Sequence, residues 1–331
     1  PHSVPHLQTQ AGESPALHLS HPHPVPHLQT QAGEPPALLH LQTSISKNVI
    51  MIILELLPST IRMSTPLALA SLGGVYSERS GVVNIGLEGI MLMGAFGYVV
   101  GTQAAPPIVG FFIGIGCGSA IALVHAIASI TFRADQIVSG VAINLLAIGI
   151  TEFLGRGATS PRVDGLNQWN LPLFGSYAFI VYLTPFLVLV SQILLFKTAY
   201  GLRLCAAGES TQVLDALGLS RSKWQYIGVT MSGIFAAAGG CFLASEAHYF
   251  TKGMTAGRGY VALAAVIFGK WKPLGSGAAC LLFGFASALE LANQWQIPLQ
   301  FLHSLPYLLT MIVLVGAIGR VNPPAGLGKH E

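Results

Sequence analysis

SGVVNIGLEGIMLMG, residues Ser80–Gly94, sets two polar side chains, Asn84 and Glu88, among apolar residues and glycines at 81, 86, 89 and 94. Glycine relaxes the backbone and lets neighbouring chains approach closely. A carboxylate in so apolar a setting is costly unless it faces protein or a water-filled cavity, and irregular backbone at membrane depth is tolerated only in the same settings. The stretch therefore reads as a broken helix inside a membrane. Two readings of Glu88 stand: it lines a polar pathway, or it caps a half helix or pairs with an arginine such as Arg79.

The rest of the chain fits that setting. Of 331 residues, 52% are hydrophobic and 9% charged, with 16 basic and 13 acidic side chains and a net charge of +3. Soluble domains carry about 25% charged residues, so a soluble enzyme, a nucleic-acid binder and a disordered scaffold are all poor readings. The expected fold is all-α: a polytopic transmembrane bundle.

A bilayer crossing needs roughly 20 apolar residues. Candidate spans are 49–75, 83–101, 107–131, 137–155, 176–196, 225–245, 259–269, 274–292 and 304–319, so about eight to ten crossings are expected. The first is interrupted by Glu55, Pro58 and Arg62, and 259–269 is short enough to be re-entrant or a half helix. Basic loops favour the cytoplasm. The loop 197–223, with Lys197, Arg203, Arg221 and Lys223, is placed inside, and alternation brings Arg79, Arg133, Lys270, Lys272 and Arg320 to the same side. The turn 102–106 and the loop 156–175 fall outside, where Arg156 and Arg162 run against the rule.

Further polar residues recur in the spans: Gln136, Asn144 and Glu152 around the fourth, and Glu290, Asn293 and Gln294 ending the eighth. Each alone reads as an interhelical hydrogen bond or a solvated end. Together, Asn84, Glu88, Gln136, Asn144 and Glu290 mark a candidate polar conduit.

Ala199–Lys223 is too polar to insert, yet Val213, Leu214, Leu217 and Leu219 recur at near-helical spacing. Glu209 or Ser210 is positioned to start a short helix and Gly218 to end one. Such a helix suits docking into a partner's groove; its acidic Glu209 and Asp215 speak against a helix lying on lipid.

Residues 1–43 contain no Lys or Arg and seven of the eleven histidines, and VPHLQTQAGE occurs at Val4–Glu13 and again at Val25–Glu34. Two repeats cannot stack into a core, and the composition favours disorder. The expected division is a low-complexity tail over 1–46, a permease domain over 47–320 and a cytoplasmic tail over 321–331. Met51 is the expected natural start. The histidines lack metal-ligand spacing. Cys117, Cys205, Cys241 and Cys280 form no C-x-x-C pair, so neither zinc nor a disulfide framework is expected. The sequence contains no G-x-x-x-x-G-K-[ST] phosphate loop, H-E-x-x-H helix or G-x-S-x-G elbow.

Four stretches carry a resemblance: TPLALASLGGVYSERSGVVNIGLEGIMLMGAF at 65–96, ADQIVSGVAINLLAIGITEFL at 134–154, GRGYVALAAVIFGKWKPLGS at 257–276 and IPLQFLHSLPYLLTMIVLV at 297–315. The chain resembles the integral-membrane permease subunits of ATP-binding-cassette importers, in the branched-chain amino acid and simple-sugar permease superfamily, nearest the nucleoside and simple-sugar branch. The resemblance implies a multi-pass subunit of a bacterial-type cytoplasmic membrane, surrounded by membrane lipid. It implies no catalytic site or bound cofactor of its own, with ATP held by a partner cassette ATPase. A second permease subunit, making a heterodimer, and an extracytoplasmic solute-binding lipoprotein complete the assembly. It also implies that Glu209–Gly218 is the element that couples to the ATPase, with Glu209, Asp215, Ala216 and Gly218 as its marks. Val213, Leu214 and Asp215 depart from the small or basic residues often seen there. The expected function is import of a small polar solute, a nucleoside or simple sugar, by alternating access. A branched-chain amino acid solute, a proton-coupled secondary transporter using Glu88, Glu152 or Glu290, and a non-transporting scaffold are the alternatives.

Overall fold

The computed structural model describes residues 36–155, 164–166, 168–171, 175–292, 304, 308, 311 and 323–329. The repeat in the tail, the span 304–319 apart from residues 304, 308 and 311, Arg156, Arg162, Asn293 and Gln294 lie outside the described residues. Contacts divide the chain into Pro1–Asn48 and Val49–Glu331; the site below belongs to the second unit.

Ten helices are described: α1 Pro36–Arg79, α2 Leu87–Ala104, α3 Pro107–Ala126, α4 Gln136–Leu154, α5 Phe179–Lys197, α6 Ala199–Glu209, α7 Thr211–Ala216, α8 Arg221–Ala247, α9 Arg258–Phe268 and α10 Pro273–Ala292. Every apolar run expected between 49 and 292 is helical over most of its length. Among the described residues, five helical segments are long and apolar enough to cross a membrane: Pro107–Thr131, Gln136–Leu154, Phe179–Lys197, Arg221–Ala247 and Pro273–Leu291. Pro107–Thr131 joins α3 to a wide turn, Ile127–Thr131. At 11 residues α9 is too short for a full crossing and is termed a half helix; the sequence left a re-entrant segment and a half helix open.

Three expectations need correction. The first span is not interrupted: α1 runs through Pro58, Arg62 and Pro66. Around the prolines, Thr60 Oγ1 donates to Leu56 O (2.8 Å) and Thr65 Oγ1 to Ile61 O (2.8 Å), while Arg62 pairs with Glu246 at 3.3 Å and lies over the Tyr177 ring. Second, the expected span 83–101 begins as helix only at Leu87, because the chain is non-helical around Val82–Asn84. Third, the all-α bundle, whose class stands, carries one short hairpin that the expected loop and span did not include. Gln168–Leu171 (β1) and Gly175–Ala178 (β2) form an antiparallel hairpin with Trp169 opposite Tyr177, in a stretch the sequence divides between a loop and the start of a span.

The core is a sandwich of α2, α3 and α8. Small residues bring these helices close, as membrane interfaces require, since lipid leaves no hydrophobic drive between helices. Gly240 of α8 lies against the Met91 carbonyl of α2, and Gly94 of α2 against Ala237 of α8. A side chain at Gly240 has no space. Gly240→Leu is expected to cost about 1–3 kcal/mol or more by overpacking, seen as a lower melting temperature in detergent. Gly116→Ala, where a Cβ meets open space, is expected to match or slightly exceed wild type. Equal loss in both variants would refute this packing.

Candidate functional site

The site grows from the break between α1 and α2. Gly81, at φ +93, ends α1. The Val82 N–H bonds Ser77 O (3.1 Å) and the Gly81 N–H bonds Glu78 O (3.0 Å), the Schellman pairing, which needs a residue in the left-handed region at that position. The chain then runs non-helically to Gly86, leaving backbone groups without helical partners. At membrane depth each unpaired group costs several kcal/mol.

Side chains from α1 itself and from other helices supply the partners. Gln136 Oε1 accepts from Val83 N at 2.7 Å, and Ser77 Oγ donates to Val82 O at 2.8 Å. His125 Nε2 lies 3.1 Å from Val83 O, and Nδ1 lies 2.9 Å from Ser139 Oγ. A carbonyl only accepts, so Nε2 carries the hydrogen and Nδ1 accepts from the hydroxyl. Asn144 does most: Oδ1 accepts from Gly89 N (2.8 Å), while Nδ2 donates to Ile85 O (3.1 Å) and to Tyr260 Oη (3.0 Å). Asn84 is fully buried; its Nδ2 donates to Ser232 Oγ at 2.9 Å, and its Oδ1 is left without a partner.

Glu88 acts as a helix cap. Its Oε1 accepts from Gly257 N (2.8 Å) and its Oε2 from Gly259 N (2.7 Å), at the N-terminus of α9. It also sits in the first turn of α2. The N-termini of two helices thus converge on one carboxylate, each carrying roughly half a positive charge. Arg79 is not its partner.

Four of the five pathway candidates, Asn84, Glu88, Gln136 and Asn144, therefore meet around the break. Glu290 does not join them: it lies in the last turns of α10, which packs on α9 and α5. His125, Ser139, Ser232 and Tyr260 belong to the cluster and escape a reading of the sequence. A lone histidine near the end of an apolar run was the one available signal.

A second polar cluster lies where the ends of α1 and α6 meet the α9–α10 turn. Arg79 Nη1 pairs with Glu209 Oε1 at 3.4 Å, Nε donates to Trp271 O at 2.9 Å, and the guanidinium lies 5.1 Å from the centre of the Phe196 ring. From α6 the chain turns at Ser210 into α7. Gly218 (φ +64) closes α7 with a second Schellman pairing: Leu219 N bonds Leu214 O (2.9 Å) and Gly218 N bonds Asp215 O (3.0 Å). Leu214 is buried and anchors the helix, while Asp215, Ala216, Leu217 and Gly218 project outward. Three of the four coupling candidates thus form one exposed knob, with Glu209 at its base.

The segment Pro323–Lys329 straps this end. Gly326 N donates to Gly208 O (2.8 Å), Gly328 N to Gly81 O (3.2 Å) and Ala325 N to Glu209 Oε2 (3.3 Å). A polar cavity of about 230 Å³ lies beneath it, lined by Glu209, Gln212, Arg221 and Lys329 among others. Burial pushes the Cys205 thiol up, against the pull of Arg79 and with a push from Glu209, so it is a poor nucleophile.

Residues 56–318 match a protein family described as branched-chain amino acid transport system / permease component. The chain is 40% identical over 312 residues to the guanosine ABC transporter permease protein NupQ of Bacillus subtilis, covering 85% of this chain and 97% of that one. It is 36% identical over 311 residues to the nucleoside ABC transporter permease protein NupC of Lactococcus lactis, covering 86% and 98%. TsgC13 of Haloferax volcanii, provisionally named a glucose ABC transporter permease protein, is 37% identical over 255 residues, covering 72% and 78%.

The braces are open to test. Asn144→Ala leaves the Gly89 N–H and the Ile85 carbonyl unpaired, at about 1–3 kcal/mol each. Thermal unfolding in detergent is expected to show a clear drop for Asn144→Ala, and a smaller one for Glu88→Gln, which keeps one acceptor. A melting temperature unchanged in both would contradict the bracing described.

Proposed function

The chain belongs to the branched-chain amino acid transport system / permease component family, and from that premise we propose that it is the membrane-spanning subunit of an ATP-driven importer of nucleosides. The observation that carries the solute is the 40% identity to a guanosine permease across 97% of its length. A simple sugar is the second reading, favoured by the likeness to TsgC13. The nucleoside relatives speak against a branched-chain amino acid.

The chain is a multi-pass membrane protein, and the proposal sets it in a bacterial-type cytoplasmic membrane. ATP is bound and hydrolysed by a partner cassette ATPase, in keeping with a sequence that contains no phosphate loop. A second permease completes the pathway, since Asn84, Gln136 and Asn144 are packed inside this chain, and a solute path needs another wall. A solute-binding lipoprotein delivers the cargo from the far side. Closure of the ATPases pushes on the Asp215–Gly218 knob and rocks the bundle between two states that nucleotide binds with different affinity. Asn84, Glu88, Gln136 and Asn144 hold the broken helix that shapes the path. A proton relay through Glu88 finds no support in a carboxylate already occupied by two N–H groups.

The test is uptake by vesicles holding the permeases with their ATPase and lipoprotein. Labelled guanosine is expected to enter only with ATP inside, whether or not a proton gradient is present. Uptake of glucose and not guanosine selects the sugar reading, and uptake driven by the gradient without ATP overturns the importer.

Two variants probe the knob. Gly218→Val forces a β-branched residue into the left-handed region, at about 1–2 kcal/mol; loss of uptake with normal membrane insertion is expected. A cysteine at Ala216→Cys is expected to react with an impermeant thiol reagent from the ATPase side alone. Labelling from the opposite side would invert the orientation.

A further inference from the structure

The half helix α9 is gripped at both ends by the chain on either side of the α1–α2 break. At its N-terminus the Glu88 carboxylate takes the Gly257 and Gly259 N–H groups. At its C-terminus the chain makes an abrupt turn in which Lys270 and Trp271, neither of them glycine, both sit at φ +54. Such conformations persist only where the surroundings over-determine them. Here the surroundings are the last two residues of α1: Arg79 Nε holds the Trp271 carbonyl at 2.9 Å, and the Trp271 indole N–H donates to Glu78. Trp271 and Glu78 are both buried.

Arg79 also reaches the coupling segment. Two ion pairs are present among the described residues, Arg62–Glu246 and Arg79–Glu209, and only the second touches that segment. Glu209 ends α6, and a single residue, Ser210, separates it from α7. A partly exposed pair of this kind adds little to folding stability. Its position is more telling than its strength: one guanidinium joins the base of the knob to the strained turn of a half helix whose other end is pinned beside the pathway candidates.

We infer that Arg79 is the positioning residue through which displacement of the coupling segment at Glu209 is passed to α9, by way of the Trp271 turn. The inference rests on the importer reading above. When the knob shifts, Glu209 draws on Arg79, Arg79 draws on the Trp271 carbonyl, and α9 shifts against Glu88 and the Tyr260–Asn144 contact. Glu78 keeps the Trp271 ring in place while the carbonyl is loaded.

The experiment measures solute taken up per ATP hydrolysed in vesicles with the full set of subunits. Wild type, Arg79→Ala, Glu209→Ala, the double variant and Trp271→Phe, which keeps an aromatic ring and removes the indole N–H, are compared. Arg79→Ala is expected to hydrolyse ATP at close to the wild-type rate while uptake per ATP falls about tenfold, within the roughly 5–150-fold range of ordinary coupling energies. The double variant is expected to be no worse than Arg79→Ala alone, because the residues act in series. Trp271→Phe is expected to lower uptake per ATP without loss of hydrolysis. Uptake per ATP equal to wild type in Arg79→Ala, additive losses in the double variant, or uptake and hydrolysis falling in parallel would each overturn the joint. Should Arg79→Ala fail to assemble, Trp271→Phe decides alone. A wild-type assembly without ATP-driven uptake overturns the importer reading and the joint with it, whereas a working wild type with an indifferent Arg79→Ala overturns the joint only.

Discussion

A backbone amide at membrane depth must find a partner within the protein, and the interruption between α1 and α2 turns that requirement into the organising constraint of this fold. The partners come from α3, α4 and α8 as well as from α1 itself: His125, Gln136, Asn144 and Ser77 bond the interrupted backbone, and Ser232 holds Asn84. Apolar packing alone lets a helix rotate or slide at modest cost, because lipid tails compete for the same contacts. A side-chain oxygen that must sit about 2.8 Å from one amide fixes both rotation and depth. These polar residues act as keys that set the register of the surrounding helices, with close-packed glycines such as Gly94 and Gly240 closing the remaining space.

The treatment of charge follows the same logic. Glu88 is held without a cation, by the N-termini of α2 and α9. Two helix ends at roughly half a unit each come close to offsetting one carboxylate, and the two N–H groups at α9 are fixed dipoles that need no reorganisation. The two described ion pairs stand elsewhere: Arg62 with Glu246, where α1 meets the end of α8, and Arg79 with Glu209, where α1 meets the end of α6. Glu88 is thus met by backbone, Glu78 by the Trp271 indole, and Arg62 and Arg79 by carboxylates.

How far the chain could be read in advance tracks the range of the interactions involved. Apolar runs are local, and the runs between 49 and 292 emerged as helices. The glycine-spaced carboxylate at Glu88 was legible as a broken helix, and capping a half helix was one of its two readings. Gly218 as a helix stop was legible because a left-handed end depends on one residue. What sequence spacing could not show was partnership. Arg79 stands nine positions from Glu88 and looked like its mate, yet it binds Glu209, 130 positions away, and Trp271, 192 positions away. The hairpin was missed because Gly175–Ala178 adjoins the apolar run of α5 and was absorbed into it. Proline misled in the opposite direction: Pro58 read as an interruption, but a long helix absorbs the loss of one hydrogen bond there, and again at Pro66.

The half helix α9 shows why these features belong together. Eleven residues rise about 16 Å, roughly half of a 30 Å hydrocarbon core. A helix that stops at half depth leaves N–H groups in the apolar interior, and something must meet them there. Glu88 does so only because the α1–α2 break places a carboxylate at that depth; a continuous α1–α2 helix could not turn back to present one. The break in turn needs Asn144, whose amide also holds Tyr260 in the first turn of α9. Break, half helix and brace are therefore one unit. Removing any one of the three would strand polar groups belonging to the other two, and a displacement of any one must be answered by both of its neighbours.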